Sequence, residues 1–244
     1  VKHPAPQGLD TRRVQQLLQI AQAGARASSR IDLISEKLIG EPYKGNPLIG
    51  SASMPEVFTA SMKGFDCVTY VETVLALAQA ADVPQFTEGL RQIRYFSGKI
   101  DWKRRNHYMT DWIRNNIRSG WIHRVGGWRS SVEKIRTLNV VPGLPARRAK
   151  FGCVPKAEVR KAAAQKLRTG DLVFFASTRR HLDIFHCGIV VNNTPGDQDG
   201  RDVKRVLVRH ASRSRGHVVE EALADFLKRN RMAGVIAVRP SEAD

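Results

Sequence analysis

Cysteine is scarce in this 244-residue chain: Cys67, Cys153 and Cys187 are the only ones, and no two stand in a C-x-x-C spacing. An odd number cannot all pair internally, so a disulfide scaffold and a zinc ribbon are excluded and at least one thiol is free. Long apolar runs are missing as well. No stretch of about 18 apolar residues occurs, and the most apolar helix candidate carries Glu72 in its middle, so there is no transmembrane signal. The P-loop, G-x-G-x-x-G, G-x-S-x-G and H-E-x-x-H patterns are all absent. Nucleotide-binding, serine-hydrolase and zinc-peptidase readings therefore have no motif to rest on. Acidic residues are the scarcer charge, with 23 Asp and Glu against 40 Lys and Arg and a formal charge of +17. That excess favours an anionic partner or surface and says nothing about fold.

What is present is enough for a folded protein. Hydrophobic residues make up 42% of the chain, which suffices for a core, and the length fits one domain or two. After an irregular lead-in, Asp10 or Thr11 is placed to cap a helix running to about Ala27, and a second helical piece covers Ser29 to Ile39. Gly40 to Gly64 reads as a long loop, punctuated by Pro42, Pro47 and Pro55. The clearest helix runs from the cap Asp66 to about Ala81, with Val71, Val74, Leu75 and Ala78 on one face. Residues 86 to 97 and Asp111 to Arg118 are also expected to be helical.

From Arg91 to Arg136 there are 12 Lys or Arg and 3 Asp or Glu, interleaved with aromatics. Basic and aromatic residues together suit nucleic acid. Here the charges form no helical stripe and fit no known module, so a solvated face wrapped around core aromatics is the expectation. The last third turns to short β-rich runs at Asp171 to Ala176, Cys187 to Val191, Arg205 to His210 and Gly234 to Arg239, with a helix near Val219 to Lys228. Helices first and strands afterwards imply an α+β fold with a mainly antiparallel sheet.

Three residues stand out for chemistry. Cys67 follows the cap Asp66, so it opens a helix whose positive end favours the thiolate, although a buried free cysteine is the common alternative. His186 and Cys187 are neighbours on a strand and point to opposite faces, so Cys187 packs if His186 faces a cleft. His210 ends the next strand, where it can orient His186 or hydrogen-bond a loop. Cys153 has no helix start to acidify it. A zinc site from Cys67, His186 and His210 lacks any ligand pair at metal spacing.

Together, Gly64-Phe65-Asp66-Cys67, Leu167 to Phe175, His186-Cys187-Gly188-Ile189-Val190 and His210-Ala211-Ser212 resemble the NlpC-type cell-wall cysteine peptidases, which are papain-like. The longer pattern, Phe65 to Leu77, Ile93-Arg94-Tyr95, His107 to Trp112, Val154-Pro155-Lys156 and Leu182 to His186, is similar to their N-acetylmuramoyl-L-alanine amidase-like branch. The likeness runs from about Ile31 to Val238. It implies a single α+β, papain-like catalytic domain over residues 1 to 244, its helices packed on the sheet, with a helical and loop insertion at about 83 to 160. It further implies Cys67 as nucleophile, His186 as general base and acid, His210 as orienter and Tyr43, in Gly40-Glu41-Pro42-Tyr43, as an oxyanion holder.

By the same resemblance the substrate is peptidoglycan or a muropeptide, with His107, Tyr108, Trp112 and Lys156 as candidates for sugar or lactyl recognition. No cofactor, metal or nucleic acid is expected. The chain begins at Val1, which allows a removed leader, and a periplasmic or cell-envelope location is the expectation. Val68-Thr69 stands where Ser-Gly commonly follows Asp-Cys, which points away from a generic stem-peptide endopeptidase. A long polar hairpin is expected between Val191 and Arg205. Two rival readings stay open: a stem-peptide endopeptidase with the same machinery, and a basic nucleic-acid or wall-polymer binding module with a degenerate site.

Overall fold

Alternation along the strands decides how this molecule is layered. The computed structural model describes residues 5–193 and 205–242, so most of the hairpin expected between Val191 and Arg205 lies outside the described residues. The helices are α1 (Thr11–Ala21), α2 (Ala27–Lys37), α3 (Cys67–Ala78), α4 (Val83–Arg94), α5 (Met109–Arg118), α6 (Lys156–Lys166) and α7 (Leu223–Arg229). The strands are β1 (Ile122–Arg124), β2 (Val132–Leu138), β3 (Arg147–Cys153), β4 (Leu172–Ala176), β5 (Ile184–Asn193), β6 (Arg205–Ser212), β7 (His217–Ala222) and β8 (Gly234–Pro240).

Six strands form one antiparallel sheet in the order β1-β8-β4-β5-β6-β7, and β2 and β3 form a separate hairpin. All five residues of β4 are buried, as expected of a strand covered on both faces. Leu172, Phe174 and Ala176 join Cys187 and Ile189 in a core shared with α1 to α5. Val173 and Phe175 point the other way, into a core closed by α6 and α7. Each fully buried side chain of this size contributes roughly 1.5–3 kcal/mol. No helix among the described residues is long and apolar enough to cross a membrane.

Several boundaries differ from the sequence-based expectations. Helix α1 stops at Ala21 and not near Ala27, because the chain turns at Gly24. A Cβ there would lie 2.8 Å from the backbone nitrogen of Arg30, at the start of α2. The helix expected from Val219 begins only at Leu223; His217–Ala222 is a strand paired with β6. Two β-branched residues, Val218 and Val219, and an open strand edge outweigh the helical preference of the glutamates that follow. The region from 83 to 160 holds α4 and α5 as expected, and also β1, β2 and β3 and the start of α6. Its β1 pairs with β8 and so completes the main sheet.

Helix α5 starts without a cap of its own, since the backbone N–H and hydroxyl of Thr110 donate to Asp183 Oδ2 at 2.8 and 2.7 Å. Asp183 directly precedes β5, and its Oδ1 accepts from the Ile184 N–H at 2.7 Å. One buried carboxylate thus joins α5 to the strand that bears His186. Four aromatics of the basic segment, Tyr95, Trp102, Tyr108 and Trp112, are buried, and Phe96, Trp121 and Trp128 are half-buried. The four buried rings offer no face on which bases could stack.

Candidate active site

Helix α3 begins at Cys67, and the cap before it is complete. Asp66 Oδ1 accepts from the N–H groups of Val68 and Thr69 at 3.1 and 2.8 Å, and the Asp66 N–H donates to the Thr69 hydroxyl at 3.1 Å. The half-buried Cys67 thus lies at the positive end of a well-fixed helix. Its thiol is held well below the ordinary value by a hydrogen bond from Cys187 and then by the His186 ring, which together outweigh burial. Cys187 moves the opposite way: its hydrogen bond to Cys67 and its burial push it well up. It remains a thiol, and its Sγ also lies 3.2 Å from the Cys67 carbonyl oxygen. Burial and the negative charge of the adjacent Cys67 thiolate also lift the Asp66 carboxyl to about 6.

Strand alternation separates His186 from Cys187 as expected: Cys187 is enclosed beneath α3, and His186 lines a cleft. Both nevertheless reach Cys67. The register of β4 against β5 shifts between Phe175 and Ala176, leaving Phe185 as an extra residue just before His186. A bulge of this kind re-aims the neighbouring side chain. The imidazole is stacked against Phe175 and Phe226, with ring centroids 6.1 and 5.5 Å away.

The chain of contacts continues from there. His186 Nε2 lies 2.8 Å from His210 Nδ1, and His210 Nε2 lies 2.9 Å from Glu221 Oε1. The other Glu221 oxygen is taken by Arg229. Burial, the nearby His186 and Arg229 push the His210 pKa down to about 3. The contact with Glu221 is therefore a neutral N–H donating to a carboxylate, and not an ion pair. It follows that His210 carries its proton on Nε2 and accepts at Nδ1 from the His186 Nε2–H, which leaves His186 Nδ1 for Cys67. Close approach of β5 and β6 depends on Gly188, where a Cβ would meet the Arg209 carbonyl oxygen at 2.9 Å and His210 Cβ at 3.1 Å.

Tyr43 comes to the same place from the long loop. Its N–H donates to the Gly216 carbonyl at 2.7 Å, and it bridges to Phe65, two residues before Cys67. The intervening Gly64 has a φ of +121°, and a Cβ on it would lie 2.9 Å from the Pro42 carbonyl oxygen. Burial raises the Tyr43 hydroxyl, Cys67 and Asp66 add to the rise, and Arg213 opposes it.

The expected recognition residues do not gather as a group. His107 lines a cavity of about 340 Å³ beyond Asp66 and Val68, with Nε2 2.7 Å from the Trp102 carbonyl. Tyr108 is 3% exposed, and its hydroxyl is used by the N–H groups of Val140 and Val141 at 3.1 and 3.4 Å. Trp112 is 1% exposed, packs on Phe174 and donates its indole N–H to Glu72 Oε1 at 3.1 Å. Neither ring is open to a sugar. Lys156 reaches across to the Asn230 carbonyl at 3.0 Å, tying α6 to the end of α7.

Glu221 is not apparent from sequence, because Val219 to Lys228 predicts a helix where the structure has the end of β7 and then α7. The alternating Arg209–Glu220 and His210–Glu221 contacts between β6 and β7 are the signal that could have found it.

Comparison with known proteins agrees with the fold. A Legionella pneumophila structure of family model DUF1460 has a TM-score of 0.79 at 19% identity, covering 96% of this chain and 95% of that one. A Bacteroides uniformis N-acetylmuramoyl-L-alanine amidase has a TM-score of 0.71 at 23% identity, covering 93% and 99%. At these identities the likeness establishes the fold. Comparison with curated proteins gives no match. The AmiA-like family model, described as N-acetylmuramoyl-L-alanine amidase-like, matches residues 33–235 and supports a hydrolase of the peptidoglycan amidase kind. That match takes in Cys67, His186, His210 and Glu221, and the chain belongs to the AmiA-like family.

Proposed function

We propose that this protein is a cysteine-dependent amidase, NlpC-type and papain-like, that cuts the amide between the lactyl group of N-acetylmuramic acid and L-alanine in peptidoglycan fragments. It works in the cell envelope, as one catalytic domain in which residues 83 to 160 form an insertion. The observation that carries this reading is the unbroken series Cys67, His186, His210 and Glu221, starting at a capped helix N-terminus.

In this reaction the Cys67 thiolate adds to the lactyl carbonyl. The oxyanion is held by the Cys67 N–H, which takes no part in the cap that Asp66 makes with Val68 and Thr69, and by the Tyr43 hydroxyl. As the C–N bond breaks, His186 gives its proton to the departing amine, leaving a thioester on Cys67. His186 then takes a proton from water, whose oxygen attacks the thioester. The sugar acid leaves, the Cys67 thiolate returns, and His186 keeps the proton it took from water. His210 holds the His186 ring in the productive tautomer throughout, as the third member of a triad does.

Mass spectrometry of products from a defined muramoyl peptide tests this. Expected products are a free sugar acid and a peptide beginning with L-alanine, while the same peptide without its sugar is spared. Rapid cleavage of the sugar-free peptide would overturn the amidase reading in favour of a stem-peptide endopeptidase.

A further inference from the structure

A second cavity, of about 590 Å³, opens on the His186 side of Cys67. Phe185 and Phe226 give it apolar walls, His186 and His210 line its inner end, and Arg213 and Arg215 stand on its rim. The two arginines belong to the turn between β6 and β7 and are exposed. Neither forms an ion pair or a side-chain hydrogen bond among the described residues. The third arginine, Arg229, is already matched by Glu221. Among the described residues, the cavity therefore presents two positive charges without a counter-charge.

The turn is held in place. The Ser212 hydroxyl accepts from the Arg215 N–H at 3.3 Å, the Gly216 N–H donates to the Ser212 carbonyl at 2.9 Å, and the Gly216 carbonyl accepts from Tyr43. Arg213 is close enough to Tyr43 for its charge to favour the ionised hydroxyl. The backbone that carries this positive charge is thus fixed on one side of the reacting centre. On the other side, past Asp66 and Val68, the smaller cavity is lined by paired groups.

Chemistry decides which half of a substrate lies where. The group that protonates a departing amine must face that amine, so the leaving fragment lies against His186 and the acyl fragment lies beyond Asp66. We propose that the cavity on the His186 side is a subsite for an acidic leaving peptide, in which Arg213 and Arg215 bind carboxylates within about two residues of the cut amide. This assignment rests on the amidase reading given above. It adds that the protein reads the charge of the peptide as well as the presence of the sugar.

Two substrates and one double variant test it: a muramoyl-L-alanyl-D-glutamate with free carboxylates, the same molecule with both carboxyls as amides, and Arg213→Ala/Arg215→Ala. The parent protein is expected to prefer the diacid by about tenfold in kcat/KM, and the two rates should converge in the double variant. Equal rates on both substrates in the parent, or a preference that survives the double variant, would overturn the subsite. A binding measurement keeps the two readings apart. Free L-alanyl-D-glutamate, titrated into the Cys67→Ala protein, should bind more weakly in high salt and about tenfold more weakly when both arginines are replaced. If neither muramoyl substrate were cut, the amidase reading would fall. The titration would still decide the subsite, and binding insensitive to the arginines would refute it.

Discussion

The two cavities that flank Cys67 use charge in opposite ways. On the His186 side, Arg213 and Arg215 are exposed and carry no partner among the described residues. On the Asp66 side, Arg94 is 2% exposed and gives its Nε to Glu72 at 2.7 Å and its Nη1 to the Thr59 carbonyl at 2.6 Å. Glu72 in turn accepts the Trp112 indole. A charge whose hydrogen bonds are all satisfied by the protein shapes a wall; one left facing solvent is available to a ligand. Net charge alone, +17 for the chain, does not distinguish these uses.

The comparison breaks at its midpoint if Cys67 is not the reacting group. Cys67→Ala should reduce turnover by a factor on the order of 10⁴ or more with the fold intact, whereas Cys153→Ala should retain it. Steady-state rates with a thermal melt on each variant decide this, and near-parental activity in Cys67→Ala would remove the mechanism. His186→Ala should be nearly as damaging, and His210→Gln less so.

On the walled side the expected effect is on stability. Glu72→Ala leaves Arg94 buried without its counter-charge, and Trp112→Ala removes a packed indole from against Phe174. Each should cost about 3–5 kcal/mol in chemical denaturation. A Trp112→Ala protein of parental stability whose only defect is a raised KM would return that ring to the substrate.

Smaller again is the contribution of Glu221. Glu221→Ala removes the acceptor that fixes the His210 proton on Nε2, so kcat should fall by about tenfold with little change in KM. Glu221→Gln should recover part of the loss, because an amide oxygen still accepts. No recovery would show that the carboxylate charge matters and not the tautomer.

The mildest test is a pH series. His210 is neutral in the fold, with its pKa pushed from 6.5 to about 3. Between those values the unfolded chain binds the proton and the folded one does not. The stability this group contributes is therefore present above pH 6.5 and is lost as pH falls towards 3. The difference in denaturation midpoint between the parent and His210→Gln should accordingly shift in favour of the variant from pH 7 to about pH 4.5. An unchanged difference would mean that His210 is protonated in the fold.

Residues whose roles depend on local pattern were legible in the sequence. Asp66 before an apolar helix marks a cap whatever the rest of the chain does, and the separation of His186 from Cys187 follows from the period of a strand. Roles set by distant partners were hidden. Trp112 and Tyr108 read as aromatics suited to a sugar, and only packing against Phe174, Glu72 and the 140–141 backbone shows them enclosed. Glu221 acts through His210 across a strand pair, a relation invisible until β7 is known to be an edge strand. In β2 a polar alternation with Ile135 44% exposed gave no apolar face to recognise.

The Asp183 contact has a consequence for how the fold opens. Its carboxylate holds the first turn of α5 and the first residue of β5 together, so loosening α5 is expected to disturb the start of the strand that bears His186. The Thr110 amide should accordingly exchange with deuterium as slowly as the central strands, because it is released only when the whole unit opens.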